Sequence, residues 1–310
     1  MLRNKIKAAP VVRISSSFQV LIYFVIPPLL WAGNYIVGRA VRSDIPPVML
    51  TLSRWAVALL VILPFAFPHI RRDFRQYMHH PIRITAVSLS GVATFSLLVY
   101  FGLHHTTGTN ALLLNSCVPV LIILFSALFF KTKLSLFQIT GLCISCLGVL
   151  IIIFQGNPLG MLNMVFSSGD FMLLGAMASF AFYTLWLRKI PASINRQGLL
   201  GIQVIITLIA VLPFGVWEQH SGTTVNWTPV TIQAVLFLGI FPSFCSYLLY
   251  VRCVETLGAA RAGLSIHLIP VFGVTLSVLF LGEHIHLFHL AGIAIILAGV
   301  YLANIEPKRK

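Results

Sequence analysis

Apolar residues in this chain come in long unbroken runs, not in the alternating or amphipathic patterns of soluble elements. A helix needs roughly 20 apolar residues to cross the hydrocarbon of a bilayer. Ten stretches qualify: 18–38, 47–67, 82–103, 107–130, 135–154, 169–188, 198–217, 230–252, 259–281 and 286–304. The connecting segments are short, so no separate soluble domain is predicted. A transmembrane β-barrel is excluded because the runs lack a period of two. The pattern predicts an all-α polytopic membrane protein of ten transmembrane helices in one bundle.

The residues that punctuate these runs repeat. Adding 151 to residues 86–150 reaches 237–301, where Pro119 meets Pro270, Gly141 meets Gly292 and Gly148-Val149 meets Gly299-Val300. Upstream the offset is 149, which lays Leu63-Pro64-Phe65 on Leu212-Pro213-Phe214 and Arg39 on Arg188. Such a duplication splits the spans five and five. With an odd number of spans per copy, the second must insert upside down, as in carriers whose substrate site lies at the midplane between repeats. The predicted organisation is an N-terminal segment 1–17, a first five-helix repeat 18–155, a second 169–304 and a basic tail 305–310.

Composition agrees: 58% of residues are hydrophobic and 9% charged, against about a quarter charged in soluble domains. The net charge of +14 would suggest nucleic acid in a soluble protein, but its placement argues topology. With both termini cytoplasmic, the inside segments hold 18 of the 21 basic residues, the others being Arg39, Arg42 and Arg54. Corresponding loops carry opposite bias. Arg71, Arg72 and Arg75 answer to a loop with Glu218 and no cation, and Lys131 and Lys133 to one with Glu283. The basic N-terminus followed by an apolar run has the outline of a signal peptide, but it lacks a small-residue cleavage site and its span has a counterpart in the sixth, so it is read as retained.

Polar groups inside apolar helices are costly and point to function. In the first span Pro27, Trp31, Asn34, Tyr35 and Gly38 share one stripe. The fourth and ninth spans each hold a mid-span proline, Pro119 and Pro270, with Asn115 and Ser116 before one and Ser265 and His267 before the other. Proline frees a carbonyl four residues back, which predicts a hinge or site wall in both copies. His267 is the expected proton carrier or substrate ligand, since imidazole changes charge near neutral pH. Tyr100, Tyr183 and Tyr247 are expected on the cavity, with Tyr183 placed opposite Asn34 by the 149 offset; Trp186 and Tyr250 are expected in the interfacial belt. Arg54 in the second span corresponds to Gln203. Its expected outlet is snorkelling to the outer interface or pairing with Asp44, and a substrate carboxylate is the alternative. All seven acids sit at span ends or in loops, which argues against a central carboxylate relay. Cys143 and Cys146, on an apolar run, are read as packing, and His284-x-His286 is too weak a pattern for a metal.

With Leu30-Trp31-Ala32-Gly33-Asn34-Tyr35, Arg54, the paired blocks 119–148 and 270–299 and Leu281-Gly282-Glu283, the chain resembles the EamA family of the drug/metabolite transporter superfamily over about residues 18–304. The resemblance implies a ten-helix inverted-repeat carrier, often an exporter of amino acids, metabolites or small toxic compounds. The first copy departs from it with Lys131-Thr132-Lys133 where Gly-Glu is usual.

No phosphate-gripping G-x-x-x-x-G-K-[ST] is present, nor G-x-S-x-G or H-E-x-x-H, so direct ATP drive, an ATPase subunit and intramembrane hydrolysis are not expected. Ser265 and His267 point apart on a helix. No catalytic residue, metal ligand or cofactor is assigned. The expected function is secondary transport by alternating access, as export of amino acids or aromatic, amphipathic compounds from a multi-pass protein of the bacterial inner membrane. The expected partners are a small-molecule substrate and the lipid bilayer. Import of a nucleoside-, vitamin- or cofactor-like metabolite is the alternative, and a non-transporting sensor or scaffold is the reading from another class. The candidate substrate residues are Trp31, Asn34, Tyr35, Tyr100, Asn115, Tyr183, Tyr247 and His267, with Pro119 and Pro270 as hinge or wall.

Overall fold

A computed structural model describes residues 17–106, 111, 114–131, 135–157, 159, 167–281 and 284–304. Arg3, Lys5, Lys7, Arg13, Lys133, Gly282, Glu283, Lys308, Arg309 and Lys310 lie outside the described residues, as do segment 1–16 and the tail 305–310. The helices are α1 (Ser17–Ala40), α2 (Pro47–His79), α3 (Pro81–His105), α4 (Cys117–Phe130), α5 (Leu136–Ile153), α6 (Ser168–Leu187), α7 (Arg196–His220) and α8 (Pro229–Leu257). After these, α9 joins Ala259–Leu264, a 3-10 turn Ser265–His267 and Leu268–Leu281, and α10 is Leu287–Asn304. Among the described residues, eight helices are long and apolar enough to cross a membrane, and α4 and α10 are shorter apolar helices. The protein is a multi-pass membrane protein.

Helix starts follow local chemistry. Pro47, Pro81 and Pro229 open α2, α3 and α8 with a ring that pre-sets φ and lacks an N–H the first turn would leave unpaired. Ser135 and Gln138 form a reciprocal capping box on α5, and the Asn195 side chain accepts the first amides of α7. One boundary differs from expectation. No terminator interrupts α2 before His80-Pro81, so it runs past residue 67, absorbs Pro64 and Pro68, and carries Arg71, Arg72 and Arg75 on its last turns, not in a loop.

Copy-related helices pack on one another with reciprocal contacts. Gly141 of α5 leaves no room for a Cβ against Gly299 and Ala303 of α10, and Gly148 none against Gly292 and Ile296. These contacts run antiparallel, and the 151 offset exchanges one for the other. The pair α2–α7 behaves likewise: Gly201 meets Ala66 and Gly215 meets Leu52, exchanged by 149. Without hydrophobic drive inside lipid, such close small-residue approach supplies the dispersion contacts that hold helices together.

Carboxylates close the ends of α2 and α7 on each other. Glu218, at the end of α7, accepts the Val48 and Met49 amides at 3.2 and 2.9 Å at the start of α2. Asp73, near the end of α2, accepts the Asn195 amide at 2.9 Å at the start of α7. Each anion thus meets the positive end of the neighbouring helix. Outward-facing apolar residues, including Leu63 and Phe65 and their counterparts Leu212 and Phe214, form the lipid-exposed surface.

Candidate functional site

Both copies distort at the same two places. Residues Leu89–Thr94 of α3 and Gly239–Cys245 of α8 form π-helical turns, related by the 151 offset. A π-turn leaves carbonyls poorly partnered within the helix. Here the Gly91 carbonyl accepts the Tyr247 hydroxyl at 2.6 Å, and the equivalent Pro242 carbonyl accepts the Trp31 indole N–H at 3.1 Å. Each donor belongs to the other half of the chain, so the two distortions lock the halves together. The second shared break precedes Pro119 and Pro270: helix geometry lapses at Ser116 and tightens to the 3-10 turn at Ser265–His267.

Between these features Arg54 lies buried in α2. Its Nε donates to Ser243 Oγ at 2.7 Å, and its Nη1 donates to Asn34 Oδ1 at 2.9 Å and to the Tyr100 hydroxyl. Tyr100 in turn donates to Asn34 Oδ1 at 3.0 Å. The guanidinium also lies over the Trp55 and Tyr100 rings, 5.1 and 5.4 Å from their centroids. This corrects the expectation that Arg54 snorkels outward or pairs with Asp44. Three groups from three other helices hold it in place, yet all its hydrogen-bond partners are neutral. The ion pairs described join Arg72 to Asp73, and Arg196 and Arg252 to Glu255. A mid-span Arg costs roughly 2.5–3.5 kcal/mol on insertion scales, so this one needs an account.

Arg54 lines an enclosed cavity of about 20 Å³, together with Trp31, Asn34, Tyr35, Phe95, Asn115, Val118, Phe180, Ile266 and Ile269. That volume holds about one water molecule; the site is closed in this conformation. Three lining pairs are copy-related: Trp31 with Phe180, Asn115 with Ile266, Val118 with Ile269. The cavity therefore sits where the halves meet. Its chemistry is one-sided, with Asn34, Tyr35, Arg54 and Asn115 from the first half facing Phe180, Ile266 and Ile269 from the second. The Tyr35 hydroxyl donates to Asn115 Oδ1 at 3.0 Å, which leaves Asn115 Nδ2 buried without a hydrogen-bond partner.

Of the residues singled out in the sequence, Trp31, Asn34, Tyr35 and Asn115 line this cavity. Tyr100 stands behind it and holds Arg54. Tyr183 is seated against Gly91, where a Cβ would overlap its ring, and Tyr247 packs edge-on to Trp31 and Trp55; neither reaches the cavity. Pro119 and Pro270 follow the breaks without lining it. His267 lies elsewhere, its Nε2 donating to the Ser116 carbonyl at 3.1 Å and its Nδ1 bonded to Ser145. It ties the broken part of α9 to the break before α4 and to α5. Tyr250, expected at the interface, is fully buried against Trp31 and Phe180 and bonds Thr184 at 3.1 Å. Missed in the sequence were the π-turns, whose only trace is the coincidence of Gly91 and Pro242, both poor helix formers, at one register.

Beyond the layer formed by Trp31, Phe180 and Tyr250 the bundle opens. A vestibule of about 940 Å³ is bounded by Gln19 and Tyr23 of α1, Arg188, Lys189, Arg196, Arg252 and Glu255. At the opposite end the helices are joined by the Glu218 contacts, by Asp170 accepting from Thr106 and by the Asn226 amide on the Asp44 carbonyl at 2.7 Å.

The model of the EamA-like transporter family matches residues 19–154 and again 167–305. Relatives include "Uncharacterized transporter YetK" of Bacillus subtilis (strain 168), 25% identical over 89% of this chain and 84% of its own length. Another is "Uncharacterized inner membrane transporter YicL" of Salmonella typhimurium, 22% identical over 92% and 95%. One solved crystal structure superposes with a TM-score of 0.74 over 93% of this chain and 97% of its own, at 18% identity, a likeness of fold alone. With its two successive matches spanning nearly the whole length, the chain belongs to the EamA-like transporter family.

Proposed function

We propose that this protein is a secondary carrier of small amphipathic metabolites, working as an exporter of amino acids or aromatic compounds across a bacterial inner membrane. Its repeats, 18–155 and 169–304, insert in opposite senses with both termini cytoplasmic, and they rock about the cavity so that each end opens in turn. The observation that carries this reading is the closed, partly polar cavity built from copy-related residues where the halves meet. Antiparallel, reciprocal packing of α2 with α7 and α5 with α10 supports it, because a two-fold frame offers two equivalent tilted states. The open, basic vestibule is then the cytoplasmic entrance, and the Trp31–Phe180–Tyr250 layer is the gate above it. His267, hydrogen-bonded on both nitrogens away from the cavity, is better read as a clamp between α4, α5 and α9 than as a proton carrier.

Purified protein in liposomes, offered a broad panel of labelled amino acids and metabolites in counterflow, is expected to move a subset. Movement of none in either direction would leave a sensor or scaffold as the better reading. Single cysteines at positions 72 and 219, in a background freed of the five native ones, should label from opposite sides of the membrane; labelling from the same side defeats the inverted arrangement.

A further inference from the structure

The closed cavity presents donors without matching acceptors. Arg54 brings a full positive charge, and the partners that hold it, Asn34, Tyr100 and Ser243, are neutral. Asn115 adds an amide N–H₂ with no partner, although it is 3% exposed and lines the same space. In a low-dielectric interior an unmatched cation and an unmatched donor are both unfavourable, and one anion with two acceptor lobes relieves both. Of the other lining residues, Phe180, Ile266, Ile269, Phe95 and Val118 are apolar, and the polar atoms of Trp31, Asn34 and Tyr35 are engaged with Pro242, Arg54 and Asn115. The approach is positive as well: among the described residues Arg188, Lys189, Arg196 and Arg252 face one acid, Glu255, in the vestibule, a distribution that concentrates anions at its mouth.

We infer that the cavity is a carboxylate site, in which Arg54 and the Asn115 amide hold the substrate's carboxylate while its apolar part packs on Phe180, Ile266 and Ile269. This rests on the transporter reading and narrows it to monocarboxylates, zwitterionic amino acids included. A single buried cation matches one negative charge and leaves a doubly charged phosphate ester half uncompensated. Among the described residues no carboxylate lines the cavity, so a substrate whose only charge is an amine would meet like charge from Arg54.

The test uses matched probes on the full chain in detergent micelles: 3-phenylpropionate and hexanoate, their primary amides, L-phenylalanine and phenethylamine, measured by titration calorimetry and by counterflow in liposomes. The expected result is binding of acids about tenfold or more tighter than their amides, the scale of a hydrogen bond to a charged group, with phenethylamine weakest. In Arg54→Gln this preference disappears. Should that variant not fold, Arg54→Lys and Asn115→Leu serve, each expected to weaken the acids far more than the amides. Amides that bind as well as acids, no binding by any acid, or an acid preference that survives these variants would overturn the carboxylate site. Movement of any probe, amide or amine included, keeps the transporter reading, so the two fail separately.

Discussion

The two halves of this chain are alike where helices touch and unlike where they face the cavity. Gly141 against Gly299 and Gly148 against Gly292 are the same contact made twice, as are Ala66 against Gly201 and Leu52 against Gly215. At the cavity Asn115 faces its copy-related Ile266, while the counterparts of Asn34 and Arg54, Tyr183 and Gln203, do not reach it. The first half supplies every polar lining group and the second only apolar ones. A two-fold frame requires equivalent packing from both halves, so backbone approach preserves the repeat. The proposed substrate, a single unsymmetrical molecule, would require the opposite, a head that meets one half and a body that meets the other.

The strongest way to break this comparison is at the shared contacts. A Cβ at Gly299 would lie 2.4 Å from the Ser145 amide nitrogen and 2.6 Å from the Gly141 carbonyl, and one at Gly141 would lie 2.5 Å from Gly299 O. Backbone atoms cannot step aside as a flexible side chain can. Gly299→Ala and its copy-related counterpart Gly148→Ala, whose Cβ would lie 2.7 Å from the Gly292 carbonyl, should each destabilise by about 1–3 kcal/mol, as overpacking does, measured by detergent-titrated unfolding of the purified chain. Equal losses would support the equivalence of the two halves; a loss confined to one would show that the contact is not reciprocal in energy.

The next comparison is chemical. Asn115→Ile makes the first half resemble the second and should lower kcat/KM for a transported acid about tenfold, by removal of a hydrogen bond to charge. Ile266→Val trims the apolar wall by one methylene and costs about 0.5–1.5 kcal/mol. The readouts differ: the first change falls chiefly on acids, the second on acids and amides equally. Identical profiles for the two would end the idea of a polar and an apolar wall.

Much of this was legible in the sequence because bilayer physics writes itself into composition. The apolar runs located the described helices, and Trp31, Asn34 and Tyr35 stood out as one stripe before their common cavity was seen. What stayed hidden depends on partners distant in sequence. Arg54 looked destined for the interface because nothing near it in the chain offers a partner; Asn34, Tyr100 and Ser243 reach it from three other helices. The carbonyls of the π-turns at Gly91 and Pro242 find their partners in Tyr247 and Trp31, which arrive from the opposite half. His267 had the chemistry of a proton carrier, but Ser116 and Ser145 occupy its nitrogens. Pattern reports what a residue is and where it lies along its helix, not which helix arrives to meet it.

A smaller effect is expected at the carboxylate caps. Asp73→Asn and Glu218→Gln each remove a full charge from the positive end of the neighbouring helix while keeping size, and should cost about 1 kcal/mol apiece. Hydrogen exchange should quicken at the start of α7 in the first variant and of α2 in the second. Quickening at both starts in either variant would mean that the two ends are coupled, not independent copies of one device.

The smallest effect distinguishes the halves at a single residue. Lys131 ends α4 with φ 48° and ψ 34°, a left-handed conformation that costs a side-chain-bearing residue roughly 1–2 kcal/mol. The corresponding position of the second copy is Gly282, the residue that adopts such a C-cap without penalty. Lys131→Gly relieves the strain but adds about 0.5–1 kcal/mol of unfolded-state freedom, so the net gain should be about 0.5 kcal/mol in the same unfolding assay. Lys131→Ala removes the charge and retains the Cβ, and should give no gain. If alanine stabilises as much as glycine, the difference between the two copies at this loop is one of charge, and the left-handed backbone has no part in it.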